Sequence, residues 1–143
     1  MRHLKILMLT VTCAALAAGL AGCSAGGAQK NLEGAVYAAN TPVYKSAQFD
    51  GVMGGTSYGD TPEDTAEGQS WFFKVEEPYD QVVAFYDQKL SGWTRTLDST
   101  GDGPYVTYHS IPPGAEPGEY VEVIVRQGEV QIHESCKPGK IKN

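Results

Sequence analysis

Near the C-terminal end, Val121, Val123 and Val125 alternate with Glu122, Ile124 and Arg126, and after Gln127-Gly128 the alternation resumes at Val130 and Ile132. A period of two sends successive side chains to opposite faces of a strand, and a Gly-containing pair between two such runs suits a two-residue hairpin turn. Counting outward from that turn predicts Val125 opposite Val130, Val123 opposite Ile132, Arg126 opposite Glu129 and Glu122 opposite His133. One face of the hairpin is then apolar and the other charged. That is the pattern of an antiparallel sheet covered on one side only.

Upstream, Trp71, Phe73 and Val75 alternate with Phe72, Lys74 and Glu76, which predicts a strand with the first set facing the core. Pro78 follows where a helix can start without its N–H, and Glu76, Glu77 and Asp80 suit the positive end of the helix dipole. Tyr79, Val82, Val83, Tyr86 and Leu90 fall on one helical face, Phe85 flanks it, Lys89 lies in the last turn and Gly92 can end the helix. Further strands are expected at Trp93 to Leu97 and at Tyr105 to Ile111. Between them Asp98 to Pro104 is rich in turn residues, and Pro112 to Gly118 is a loop that no central strand tolerates. Strand, helix and then three or four strands make an α+β domain: one main helix packed on a twisted antiparallel sheet of about four to five strands.

Candidate sites are few. Gly51 to Asp60 carries glycines with Thr56 and Ser57 and resembles an anion-cradling loop. No Lys and no helical pattern follow it, so a turn or a bulged strand edge is the expectation. Asp98, Thr100, Asp102 and Gly103 imitate the first half of a calcium loop, but His109 stands at the twelfth position where a bidentate Glu belongs, so a hairpin turn is expected. His109, His133, Glu122 and Cys136 are the one set whose chemistry suits a metal or acid–base work. Their spacing matches no metal signature, and a Glu–His pair across a solvated sheet face is an ordinary stabilising contact. No serine-nucleophile motif, paired-Cys motif or haem attachment sequence occurs, and Glu63-Asp64 and Glu76-Glu77 read as solvating charge. No catalytic residue, cofactor or metal ligand is therefore expected.

The N-terminal end sets the location. Arg2 and Lys5 precede the apolar run Ile6 to Ala18, and small residues lead up to Cys23. This is the layout of a secretory signal, residues 1–22, and not of a membrane span, which needs roughly 20 strongly apolar residues. Leu20-Ala21-Gly22-Cys23 resembles the lipobox of bacterial lipoproteins. The resemblance implies diacylglycerol transfer to the Cys23 sulfur, cleavage before it and acylation of the new amino terminus. Two or more acyl chains make a stable anchor at about 0.8 kcal/mol per buried methylene. Ser24 in place of Asp implies, in a Gram-negative host, the outer membrane facing the periplasm. Without acylation, Cys23 and Cys136 could instead pair; otherwise Cys136 is an unpaired thiol that behaves as a small hydrophobe.

Residues 23–40, rich in Gly, Ala and polar side chains, read as a lipidated flexible tether with a reach of about 20–25 Å. Residues 41–143 are then the α+β domain. Removal of Arg2 and Lys5 with the signal reduces the 11 basic residues to 9 against 17 acidic, a formal charge of −8. Such a chain lacks the basic face that nucleic acid requires. Pro42-Val43-Tyr44, Val82 to Tyr86, Leu90, Gly92-Trp93 and the hairpin resemble α+β domains appended to many bacterial lipoproteins. That resemblance implies fold and setting and carries no catalytic residue across. The expectation is a lipid-anchored cell-envelope lipoprotein, non-enzymatic, acting as a binding or accessory module for an envelope partner. The alternative is a small metal-dependent or hydrolytic enzyme using His109, His133 and Glu122.

Overall fold

The computed structural model describes residues 32–57 and 65–141. The signal segment, Cys23 and the N-terminal part of the expected tether lie outside the described residues, as do Tyr58, Gly59, Asp60 and the Glu63-Asp64 pair. The fold is α+β. Its elements are β1 (Gln48–Ser57), β2 (Ala66–Lys74), α1 (Tyr79–Lys89), β3 (Thr94–Thr100), β4 (Gly103–Ser110), β5 (Tyr120–Arg126) and β6 (Glu129–Cys136). All strand pairs are antiparallel and the sheet order is β1-β2-β6-β5-β4-β3.

The sheet therefore has six strands rather than four to five. The additional one is β1, which carries Gly51, Gly54 and Gly55 and no apolar alternation. The Gly-rich stretch through Ser57 is thus an edge strand, with a bulge between Phe49 and Gly51. It is not an anion loop, because residues Gly51 to Ser57 are in register with β2.

The hairpin pairs as its alternation predicts: Val125 opposite Val130, Val123 opposite Ile132, Glu122 opposite His133 and Arg126 opposite Glu129. Gly128 takes φ +79° in the turn, while Gln127 stays at negative φ. The turn thus places its left-handed residue, which glycine adopts at no steric cost, second. Asp98 to Gly103 forms the β3–β4 hairpin, closed by Thr100 opposite Gly103. Trp71, Phe73, Val106, Tyr108, Val121, Val123, Val125, Val130 and Ile132 are buried and line one face of the sheet. Each side chain of this kind stabilises the fold by about 1.5–3 kcal/mol on burial.

Two pieces cover that face. Helix α1 buries Val82, Val83 and Tyr86, and Leu90 at its C-cap is buried too. Pro78 is its N-cap, as expected. Gly92 does not act as a left-handed cap; the helix stops at Lys89, with Leu90 at φ −113° and its N–H still bonded to the Tyr86 carbonyl. The Tyr86 hydroxyl accepts the Tyr44 N–H at 3.2 Å, and Phe85 stands edge-on to both Tyr44 and Tyr86.

The second cover is the segment from Leu32 to Ala47, in which Leu32, Ala38, Val43 and Tyr44 are buried. The stretch expected as tether up to Asn40 is thus packed on the sheet from Leu32 onward. The cause is Glu134, fully buried on β6, whose carboxylate accepts the backbone N–H groups of Val36, Tyr37 and Ala38 at 2.9–3.2 Å. No helix of the described residues is long and apolar enough to cross a membrane.

Candidate functional site

The opposite face of the sheet has no helix over it among the described residues, and it gathers three of the four residues that sequence marked for chemistry. His109 pairs with Glu122 and Glu122 with His133, so β4, β5 and β6 set them in one row across the strands. Ser70 on β2 extends the row, opposite His133. Cys136 does not join it. Two alternations place it with Val130 and Ile132 on the covered face, where it is 1 % exposed and burial pushes the thiol up to about 12.

Within the row the contacts fall into two pairs. His109 Nδ1 lies 3.1 Å from Glu122 Oε1, both side chains partly exposed. His133 Nδ1 lies 2.8 Å from Ser70 Oγ, which also accepts the Gln131 amide at 3.1 Å. Burial lowers the His133 pKa below its usual range, and the opposing influences of Glu122, Glu134 and the Gln69 backbone do not offset it. A neutral imidazole follows at pH 7. The Tyr120 ring stands 5.1 Å from the His109 ring and 5.7 Å from that of His133, bridging the two pairs. Burial, with Glu122 nearby, raises its phenol pKa.

This arrangement has the parts of an acid–base relay but not its wiring. In a Ser–His–acid relay the carboxylate orients the imidazole through the nitrogen opposite the serine. Here Glu122 bonds His109, and His133 turns Nδ1 to Ser70. Nor is any group of three or more His, Cys, Asp or Glu among the described residues set to hold a metal ion. The Asp98 carboxylate of the calcium-like stretch is occupied by the Ser99 N–H at 2.7 Å and the Tyr105 hydroxyl at 3.3 Å.

Ser70, Tyr120, Gln131 and Ser135 are the open-face residues that sequence reasoning missed. Tyr120 and Gln131 lie in phase with Glu122 and His133 along the hairpin, so their face was readable. Ser70 reaches His133 only through the pairing of β2 with β6, which joins strands distant in the chain. No family model, no curated protein and no solved structure matches the chain.

Proposed function

We propose that this chain is a lipid-anchored, extracytoplasmic lipoprotein of the cell envelope, held by acyl groups on Cys23, and that it acts without catalysis as a binding module. In a Gram-negative host it would face the periplasm from the outer membrane. Anchoring is supported by Leu20-Ala21-Gly22-Cys23 at the end of a short apolar run. Binding is supported by one observation: the polar and aromatic row Ser70, His133, Glu122, His109 with Tyr120 stands on the sheet face opposite α1.

Two measurements test it. The membrane-extracted protein has the mass of a chain cleaved before Cys23 and acylated, whereas Cys23→Ser stays unprocessed; a full-length, unacylated wild type defeats the anchor. A photo-cross-linking residue at Thr107, on the open face, gives adducts with an envelope component that the same residue at Gln88, on the exposed side of α1, does not. Adducts at neither position, or equally at both, defeat the binding face.

A second reading, hydrolysis, draws on the 2.8 Å contact of Ser70 Oγ with His133 Nδ1. Ester turnover abolished equally by Ser70→Ala and His133→Ala would establish it in place of the first.

A further inference from the structure

The sheet has two edges, and they differ. Strand β3 on one side carries Arg95 and Asp98, and Arg95 is tied to Asp87 of α1 at 2.7 Å. Strand β1 on the other is the longest strand among the described residues, and from Gly51 to Ser57 it has no charged residue and no proline. Its inner edge is taken by β2; among the described residues no strand takes its outer edge. Free N–H and C=O groups along an edge are a template for a further strand, and sheets block them with lysine, proline, inward charge or a bulge. Here the bulge lies between Phe49 and Gly51, and Asp50, the one charged residue of the strand, is held by Lys74 at 2.7 Å. Both devices sit at the start of β1. The regular stretch from Gly51 to Ser57 is unguarded.

That stretch complements itself. In an antiparallel pair, opposed positions have a constant sum and their side chains share a face. Two copies centred on Gly54 set Gly54 opposite Gly54, Met53 opposite Gly55, Val52 opposite Thr56 and Gly51 opposite Ser57. Val52 is 53 % exposed and Met53 68 %. Val52 lies opposite Trp71 and so on the covered side of the sheet, whereas Met53 lies opposite Ser70 on the open side. On the first side the pairing sets two β-branched side chains against one another; on the second it lays the Met53 chain over the bare backbone of Gly55. Glycine within a strand marks a place where another backbone can come close. No like charges meet across the pair, in a chain of net charge −6.

The anchor argues for a second copy. Identical strands paired antiparallel at two sheet edges are related by a two-fold axis perpendicular to the sheet, so the same face of both copies looks the same way. Both covered faces, and with them both buried Leu32 ends, then lie on one side. Leu32 stands nine positions after Cys23, a reach of at most about 30 Å, so two anchors can enter one membrane. Pairing β1 of one copy with β3 of the next does not close after two copies, and it sets Arg95 and Asp98 against an edge with no counter-charge.

We propose that β1 is a dimerisation edge: two copies of this chain pair antiparallel from Gly51 to Ser57 about Gly54 and form one continuous sheet. The pairing needs the strand alone; its orientation, with the open faces turned away from the membrane, rests on the lipid-anchored reading.

The test is cross-linking of the detergent-solubilised full chain through a cysteine at the axis, with copper–phenanthroline as oxidant. Opposed Cα atoms of an antiparallel pair lie about 4.5–5.5 Å apart, within the span of a disulfide. A Cβ at Gly54 meets only the Gly68 carbonyl oxygen at 3.7 Å, an ordinary contact. Gly54→Cys gives far more chain of twice the monomer mass than does the wild type or Leu97→Cys, which is exposed on the β3 edge. Adding Val52→Lys and Met53→Lys cuts that yield about tenfold or more and turns the dimer seen in sedimentation into monomer, with an unchanged circular dichroism spectrum. Monomer in sedimentation at about 100 µM, or Gly54→Cys cross-links no more frequent than those of Leu97→Cys, overturns the proposal. A photo-cross-linking residue at Met53 that captures a different envelope protein in place of a second copy overturns it as well. Intact mass on the same sample keeps the two readings apart: an acylated chain that stays monomeric removes the pairing and leaves the anchor, and an unacylated chain that dimerises through Gly54 removes the anchor and leaves the pairing.

Discussion

Tyr37 and Glu119 stand 82 residues apart in the chain and meet through a 2.5 Å hydrogen bond from phenol to carboxylate. The Glu119 side chain is fully buried, and it also receives the backbone N–H groups of Glu116 and Lys137 at 2.8 Å and the Lys140 ammonium at 2.8 Å. One carboxylate thereby fastens the N-terminal cover, the loop before β5 and the chain after β6 at a single point. Removing it strands several donors at once. Glu119→Ala is expected to cost about 2–4 kcal/mol, read from urea unfolding at pH 7, and a cost near zero would mean these donors find water.

The same carboxylate gives stability an acid limb. Burial alone would raise its pKa, but hydrogen bonds from the Lys137 N–H, Lys140, the Tyr37 hydroxyl and the Glu116 N–H outweigh burial and bring it from 4.5 to about 2. The unfolded chain then binds the proton more readily than the folded one. Its contribution is fully present above pH 4.5 and is lost as the pH falls toward 2. Urea midpoints at pH 6, 4 and 3 should fall more steeply for wild type than for Glu119→Gln; parallel curves would reject the assignment.

Glu134 holds the same stretch of the cover by its backbone. Its carboxylate holds three consecutive N–H groups, and Gln can offer them one acceptor oxygen and a repelling amide N–H₂. Glu134→Gln should release the Val36 to Ala38 amides to fast hydrogen exchange while the β5–β6 amides stay protected. Loss of protection throughout would mean that the segment and the sheet unfold as one unit.

These two carboxylates also mark where the sequence was legible. Pairing within β5–β6 follows from the two-residue turn, because any slip by one residue would turn Val121, Val123 and Val125 outward. Helix α1 follows from Pro78 and the spacing of Val82, Val83 and Tyr86. Glu134 was passed over, although it lies in phase with Val130 and Ile132 and so puts a charge on the apolar face. What it binds was not visible, since backbone N–H groups carry no side-chain signature and Gly34 to Asn40 has no period. Strand β1 was read only as a turn or a bulged strand edge and was left out of the strand count, its glycines having no face to alternate. His109, Glu122 and His133 could be placed on one face from strand alternation. Their meeting with Ser70 depends on β2 pairing with β6 across the helix and three strands in between.

Cys136 should be inert in the folded protein. Its sulfur is buried, and burial, reinforced by Glu134, Glu119 and Glu67, pushes the thiol up to about 12. Only the thiolate is a competent nucleophile. Dithionitrobenzoate at pH 8 should label it slowly in buffer and promptly in 6 M guanidinium; rapid labelling in buffer would place the thiol at the surface. The Cys23→Ser chain is the form to use, with the Cys13 reading subtracted by the Cys13→Ser change.

His133 offers a direct reading of the open face. Burial lowers its pKa below 6.5, while Glu122 pulls it upward. The imidazole Cε1 resonance should therefore titrate with a midpoint below 6.5, and Glu122→Gln should lower that midpoint further by removing a nearby charge that favours the imidazolium. Because the folded value is the lower one, the contribution of His133 to stability is present above pH 6.5 and declines as the pH falls toward the folded midpoint. A ring neutral at pH 7 leaves its Nδ1 contact to Ser70 a neutral hydrogen bond. A midpoint above 6.5 would mean that a neighbouring charge and not burial controls the ring, and one that rises in Glu122→Gln would mean that Glu122 does not favour the imidazolium.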